Sequence, residues 1–425
     1  MFFLLSSAFA GAERASPRGA GEQPPPGFVA DTLSLTVSGR DVPRSVVYSH
    51  LKRKLARSVQ LQPGAAYSLL LEEKNVPFVS FPLNSRLSFA APVRLSGNGY
   101  REITRSVNVI VRNLVLEDVP GPAFFHVSNS PEEVGRAGKF FDGELGRLEG
   151  ARFLFHHKNV SGSTLYFVFV LENRHDVPAE VALTAPQAGI ARSEMKAGHK
   201  AAAGFLTAAH DGVRVFEELP PGAQLVAYRE TFPPGETLSV LCEAVVTGGR
   251  GVRVSARLLS GYLDDERIDG VIDGLDARRA RGVFPAPAVE KSAGFTAGGA
   301  WTYLSIGDDP LRELTNGGAL MGNYGVTHRM RVTVFNPGKS AEKVKIFFFP
   351  GAGPASGTFF IDGERVEIPN AKGSETVELK TLRFEPGERR EVVVETMPEP
   401  GSYYPARIVF GARAAGDGRT SATDD

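Results

Sequence analysis

A turn signature occurs twice in this chain: Phe232-Pro233-Pro234-Gly235-Glu236 returns as Phe384-Glu385-Pro386-Gly387-Glu388. Each copy runs into an apolar strand and then into an Ala-Arg segment that ends in Gly, Ala256 to Gly261 and Ala406 to Gly411. Upstream, Leu165 to Asn173 and Met330 to Asn336 are both apolar runs that close on Asn. Turn and strand signals repeated in one order require the same local unit to be built twice. The runs are short, rich in β-branched and aromatic residues, and bounded by Gly and Pro. That pattern predicts an antiparallel sandwich rather than a βαβ fold.

The chain has 425 residues, 42% of them apolar and 23% charged, so it can bury substantial cores. At ~150 residues per domain, this length predicts about three domains. Lys and Arg balance Asp and Glu at 48 each, leaving no whole-chain field to gather nucleic acid. Met1 to Ala10 is an apolar stretch ending in Ala-Phe-Ala, read as a secretory signal cut after Ala10. No basic residue precedes its apolar core, so it is read as truncated. The expected location is therefore outside the cytoplasm: extracellular, periplasmic or on the cell surface. No later run reaches the ~20 apolar residues of a membrane span. Cys242 is the single cysteine, and the repeat aligns it with Val394, so it reads as a small core hydrophobe.

Residues 11–27, with three consecutive prolines, form a linker, and a β-rich N-terminal domain follows over 28–119. Its first strand alternates Leu33, Leu35 and Val37 with polar residues, and a short helix is predicted around Val46–Arg57. The first sandwich repeat spans 120–261, with a short helix over Ser193–His210 that the other copy lacks. Residues 262–296 are a linker carrying a short helix, in which Ile268, Val271, Ile272 and Leu275 share one face. The second repeat spans 297–411, and 412–425 is a polar, disordered tail. The fold class is thus all-β: tandem antiparallel, immunoglobulin-like β-sandwiches behind a smaller β-rich domain.

No constellation of catalytic residues assembles in the sequence. Gly338-Lys339-Ser340 lacks the upstream Gly of a phosphate loop and sits in a turn between strands. Ser49 and Lys52 have the spacing of a Ser-Lys pair, but no Lys-Thr-Gly follows. His156 and His157 are adjacent on a strand and point to opposite faces, and His199 and His210 stand ~16 Å apart along their helix. No metal set, cofactor motif or catalytic residue is therefore assigned. The acidic run from Asp264 to Asp276 lacks the ligand spacing of a calcium loop. The candidate ligand-binding residues are the aromatics near turns of the second repeat: Trp301, Tyr303, Tyr324, Tyr403 and Tyr404.

Ser128-Asn129-Ser130-Pro131-Glu132, Arg281-Gly282-Val283-Phe284-Pro285 and Gly322-Asn323-Tyr324-Gly325-Val326 resemble segments of a family of exported bacterial proteins. That family carries two sandwich-like repeats behind a variable N-terminal domain. The resemblance covers roughly residues 120–411. It implies export and β architecture and carries over no activity or functional residue. The resulting expectation is a non-catalytic envelope or secreted protein that binds another envelope component or a glycan, without nucleic acid or a transmembrane segment. Two alternatives stand beside it: a hydrolase assembled from distant loops, and a periplasmic assembly chaperone.

Overall fold

The computed structural model describes residues 23–115, 119–130, 132–262 and 282–411. The signal, most of the first linker, the helix expected in the second linker and the tail lie outside the described residues. The N-terminal part contributes β1 (Thr32–Ser38), α1 (Arg44–Ser58), β2 (Ala65–Leu69), β3 (Ser85–Gly97) and β4 (Ile103–Asn113). Strands β1, β4, β3 and β2 pair in that order. Val46, Val47, Leu51 and Leu55 of α1 are buried and share one core with Leu33, Leu35 and Val37 of β1.

The first sandwich is built from β5 (Phe124–Ser128), β6 (Gly138–Gly146), β7 (Gly150–Asn159), β8 (Leu165–Glu172), β9 (Ala179–Ala191), α2 (Glu194–His210), β10 (Arg214–Leu219), β11 (Gln224–Phe232), β12 (Thr237–Gly248) and β13 (Gly251–Leu259). The second uses β14 (Ala288–Thr296), β15 (Thr302–Ile306), β16 (Thr327–Phe335), β17 (Glu342–Phe349), β18 (Ala355–Ile361), β19 (Glu364–Ala371), β20 (Val377–Phe384), β21 (Arg389–Thr396) and β22 (Ala406–Gly411). One sheet of the first runs β5-β7-β12-β9-β10 and the other β6-β13-β8-β11. The second repeats this order with β14-β16-β21-β18-β19 and β15-β22-β17-β20. In both, the opening strand is parallel to its neighbour, β5 to β7 and β14 to β16; the other pairs in these orders are antiparallel, and a short run, Glu133–Val134, also pairs parallel with β7.

The two copies therefore share one topology, but its order is not immunoglobulin-like. In an immunoglobulin sandwich the last strand hydrogen-bonds to its predecessor in a CFG sheet. Here β13 lies between β6 and β8, and β12 sits in the opposite sheet. Leaving aside the parallel opening strand, this is the order of an eight-stranded jelly roll. The topology also corrects one sequence pairing. The strand that leads into Asn336 is β16, whose counterpart is β7, ending at Asn159; the strand that leads into Asn173 is β8.

The copies differ in several connections, and one hairpin shows it most plainly. In the second, β18 and β19 are joined by Asp362-Gly363, both at positive φ (50° and 81°), the backbone of a tight hairpin turn. In the first, the corresponding connection holds α2. Ser193 caps this helix by accepting from Lys196 N. The helix packs across the outer face of β9 and β12 and also reaches β18 and β19 of the other sandwich. A Cβ on Gly198 of α2 would lie 1.7 Å from Pro400 O, so only glycine permits this approach. With both faces covered, β7 and β12 are buried almost throughout and lose the period-two pattern of a half-exposed strand.

The N-terminal part is not set apart from the first sandwich. Arg214 and Val215 of β10 pair with Ser38 and Val37 of β1, so one sheet runs through both. One apolar core likewise spans them. Beside the joint, the fully buried Glu217 of β10 receives Arg53 Nε at 2.9 Å and Arg57 Nη2 at 2.5 Å from α1. Burial alone would raise this carboxyl, but His50, Arg53 and Arg57 outweigh burial and hold it far below the usual range.

Candidate functional site

The seam between the sandwiches is apolar at its centre. Phe125, Leu154, Ala202, Phe205, Leu241, Phe284, Leu320, Val326 and Met397 form one buried cluster there. Two polar anchors flank it. Arg152 donates to Glu243 Oε1 at 2.8 Å, Gly325 O at 2.7 Å and Thr327 Oγ1 at 3.0 Å, and lies over the Phe205 ring. His199 of α2 contacts Glu399 through Nδ1 at 2.7 Å and Glu367 through Nε2 at 2.9 Å. Burial works against its charge, but the two carboxylates prevail and raise its pKa. Sequence reasoning missed both anchors. Their partners lie up to 200 residues away in the chain, and no local spacing marks them.

The groups able to do chemistry are mostly sealed in. Ser128 Oγ lies 2.9 Å from His157 Nε2, yet the two residues are 5% and 0% exposed, inside the first sandwich. Burial pushes the Cys242 thiol up, away from the thiolate. His126, His156 and His328 are held down to about 4 by burial, so they are neutral. Gly338 is part of a turn in which its N–H donates to Asn336 Oδ1 at 2.9 Å. Among the described residues, no three His, Cys, Asp or Glu side chains gather to hold a metal ion.

The five aromatic residues singled out in the sequence are not brought together. Tyr404 is buried and donates to Ser356 O at 3.0 Å, and Tyr324 donates to Ser402 O at 2.8 Å. Their rings meet edge to face at 6.0 Å, spanning the second core and the seam. Trp301 and Tyr303, two residues apart, lie 6.3 Å apart, and Tyr303 is 51% exposed. Tyr403 is exposed and its ring packs against Gly353.

Around Tyr303 the β15-β22-β17 sheet presents a built surface. Ser305, Arg407 and Phe349 stand side by side across the three strands; in the next row Tyr303 is exposed, while its neighbours Val409 and Phe347 are buried. These residues alternate with Ile306, Ile408 and Phe348, which point into the core. At the end of the sheet a depression of 360 Å³ is lined by Ser305, Asp308, Phe349, Ala352, Pro405 and Arg407. Lys291 donates to Asp308 Oδ1 at 2.9 Å and to Ser305 O at 2.7 Å, fixing one wall. A cation, a carboxylate and the Phe349 ring thus share one solvent-facing concavity, with Tyr303 beyond its rim. Sequence reasoning named the nearby Tyr303 but not Phe349, Asp308 and Arg407, which strand register and the loop after β15 bring together.

No protein-family model matches the chain, and no curated protein is similar to it. Among solved structures it is similar to tripeptidyl peptidase 2 at 10% identity and a TM-score of 0.19, over 76% of this chain and 26% of that one. An anti-sigma factor domain-containing protein from Clostridium clariflavum gives 12% identity and a TM-score of 0.16, over 64% and 91%. The tandem CBM22 domains of Paenibacillus barcinonensis Xyn10C give 8% identity and a TM-score of 0.13, over 70% and 92%. Likenesses this slight carry no argument about what the chain does.

Proposed function

We propose that this is an exported, non-catalytic binding protein whose second sandwich holds a glycan on the outer face of β15, β22 and β17. One observation carries the reading: Phe349, Arg407 and Asp308 line an open depression, the exposed Tyr303 stands one row away on the same strand face, and Ser128 and Cys242 are buried. Flat aromatic rings supply apolar faces for sugar C–H groups, and a guanidinium and a carboxylate supply directional hydrogen bonds to hydroxyls. The test is a broad glycan array on the full chain, followed by Tyr303→Ala and Arg407→Ala. Both variants are expected to lose binding at least tenfold with unchanged melting. An array without binders, or binding indifferent to both changes, overturns the proposal.

A hydrolase reading draws on a different place. A depression of 410 Å³ at the end of α2 is lined by His210, Arg329, Phe360, Asp362 and Glu395. His210 stacks on Phe360 at 3.8 Å, and its Nδ1 lies 3.9 Å from Glu395, beyond hydrogen-bond reach. Turnover of a chromogenic ester or glycoside that disappears in His210→Ala would favour this site over the binding reading.

A further inference from the structure

A second concavity, remote from the proposed glycan face, lies between α1 and β11. It measures 500 Å³ and is lined on one side by Ser49, Lys52, Arg53, Ala56 and Arg57. Positions 49, 52, 53 and 56 fall at i, i+3, i+4 and i+7, so one face of the helix supplies the wall. The other side is the unbroken run from Gln224 to Arg229. Six consecutive residues of one strand line a groove only when the strand presents its backbone edge to it. Among the described residues β11 pairs with β8 alone, so its other edge faces the groove.

Charge selects the occupant. Residues 23–115 hold twelve Lys and Arg against five Asp and Glu, in a chain that balances at zero overall. Behind the helical wall, Glu217 is engaged by both Arg53 and Arg57, so one carboxylate faces two guanidiniums, and Lys52 adds a third charge. We propose that this groove takes an extended acidic segment of a partner protein, which adds a strand to the edge of β11. The partner's main chain bonds to β11, and alternate side chains reach α1. The cations of α1 recur every helical turn, about 5.4 Å, and alternate residues of a strand recur at about 6.6 Å. The segment recognised therefore carries acidic residues at every second position.

The experiment uses the full chain and a dye-labelled seven-residue peptide alternating Asp and Val, followed by fluorescence anisotropy. Binding is expected to weaken at least tenfold when Lys for Asp replaces the charges. It should weaken to a similar degree in Lys52→Glu and in Ala56→Glu, exposed positions that leave the melting temperature unchanged. N-methylation of alternate amides on one edge of the peptide should also weaken it at least tenfold, because strand pairing needs those N–H groups. Full binding by the N-methylated peptide, or equal displacement by millimolar inorganic phosphate, would reduce the groove to a plain anion site and overturn the proposal. So would indifference to Lys52→Glu. Binding that appears only after Asp264, Asp265 and Glu266 are changed to Ser would assign the groove to the chain itself, and a dimer abolished by Lys52→Glu would assign it to a second copy; either result overturns it.

Discussion

Asn159 and Asn336 make the same hydrogen bonds in the two sandwiches. Asn159 Nδ2 donates to Ser163 O at 2.8 Å and Phe232 O at 2.8 Å; Asn336 Nδ2 donates to Ser340 O at 2.9 Å and Phe384 O at 3.0 Å. Each Oδ1 accepts the N–H two residues on, from Ser161 and Gly338, at 2.9 Å. Each main chain then locks the Pro-Gly turn: Gly235 N–H bonds to Asn159 O and Gly387 N–H to Asn336 O. Both side chains are fully buried. Asn159→Ala and Asn336→Ala are each expected to destabilise by about 1–3 kcal/mol, because buried carbonyls lose their donor. Denaturant midpoints of the full chain, at unchanged slope, check this, and the two losses should be alike.

His199 predicts a pH dependence. An imidazole that donates to Glu399 through one nitrogen and to Glu367 through the other must carry both protons. Its folded pKa lies above the unfolded value near 6.5. Its contribution is thus complete below that value and is lost as pH rises through the folded pKa. The other charged group at this contact is Arg365, which pairs with Glu367, and Thr358 donates to Glu399 at 2.9 Å. Melting temperature should fall from pH 6 upward, and His199→Gln should flatten that slope.

Gly198→Ala should destabilise although alanine is the better helix former by roughly 1 kcal/mol. The new methyl meets the Pro400 carbonyl, which is main chain and cannot swing aside. Gly204→Ala, on the same helix, meets the tip of the Gln187 side chain at 2.7 Å, which can move. Differential scanning calorimetry should show a clear drop for the first and a near-neutral result for the second.

Arg152→Met leaves Glu243, itself buried, without its cation. Breaking a buried pair from one side typically costs about 3–5 kcal/mol. Removing both charges in Arg152→Met/Glu243→Leu should recover much of that loss, as a double-mutant cycle read by chemical denaturation would show. Equal losses in single and double variants would mean that the bonds to Gly325 O and Thr327 dominate.

Much of the architecture was legible because strand alternation and turn residues are local. The second repeat read cleanly where only one strand face is covered, as in Met330, Val332 and Val334. Both helices were found close to their bounds, α1 at Arg44–Ser58 and α2 at Glu194–His210. Asn173 misled the pairing of the copies because it builds a similar bracket one strand later, donating to Val177 O and Leu219 O. Strand order was not legible, since both jelly-roll and immunoglobulin arrangements accept the same alternating strands. The proposed binding face was not legible as a unit: Tyr303 stands out as an aromatic near a turn, but Arg407 and Phe349 come beside Ser305, two residues on, only through register.

Where β1 meets β10, the longest sheet narrows to two residue pairs, Ser38 with Arg214 and Val37 with Val215. Tension applied to the N-terminal segment would concentrate on this short run of backbone bonds, with the Glu217 clamp as its side-chain brace. Pulled from its two ends, the molecule should yield first at that neck and leave both jelly rolls closed.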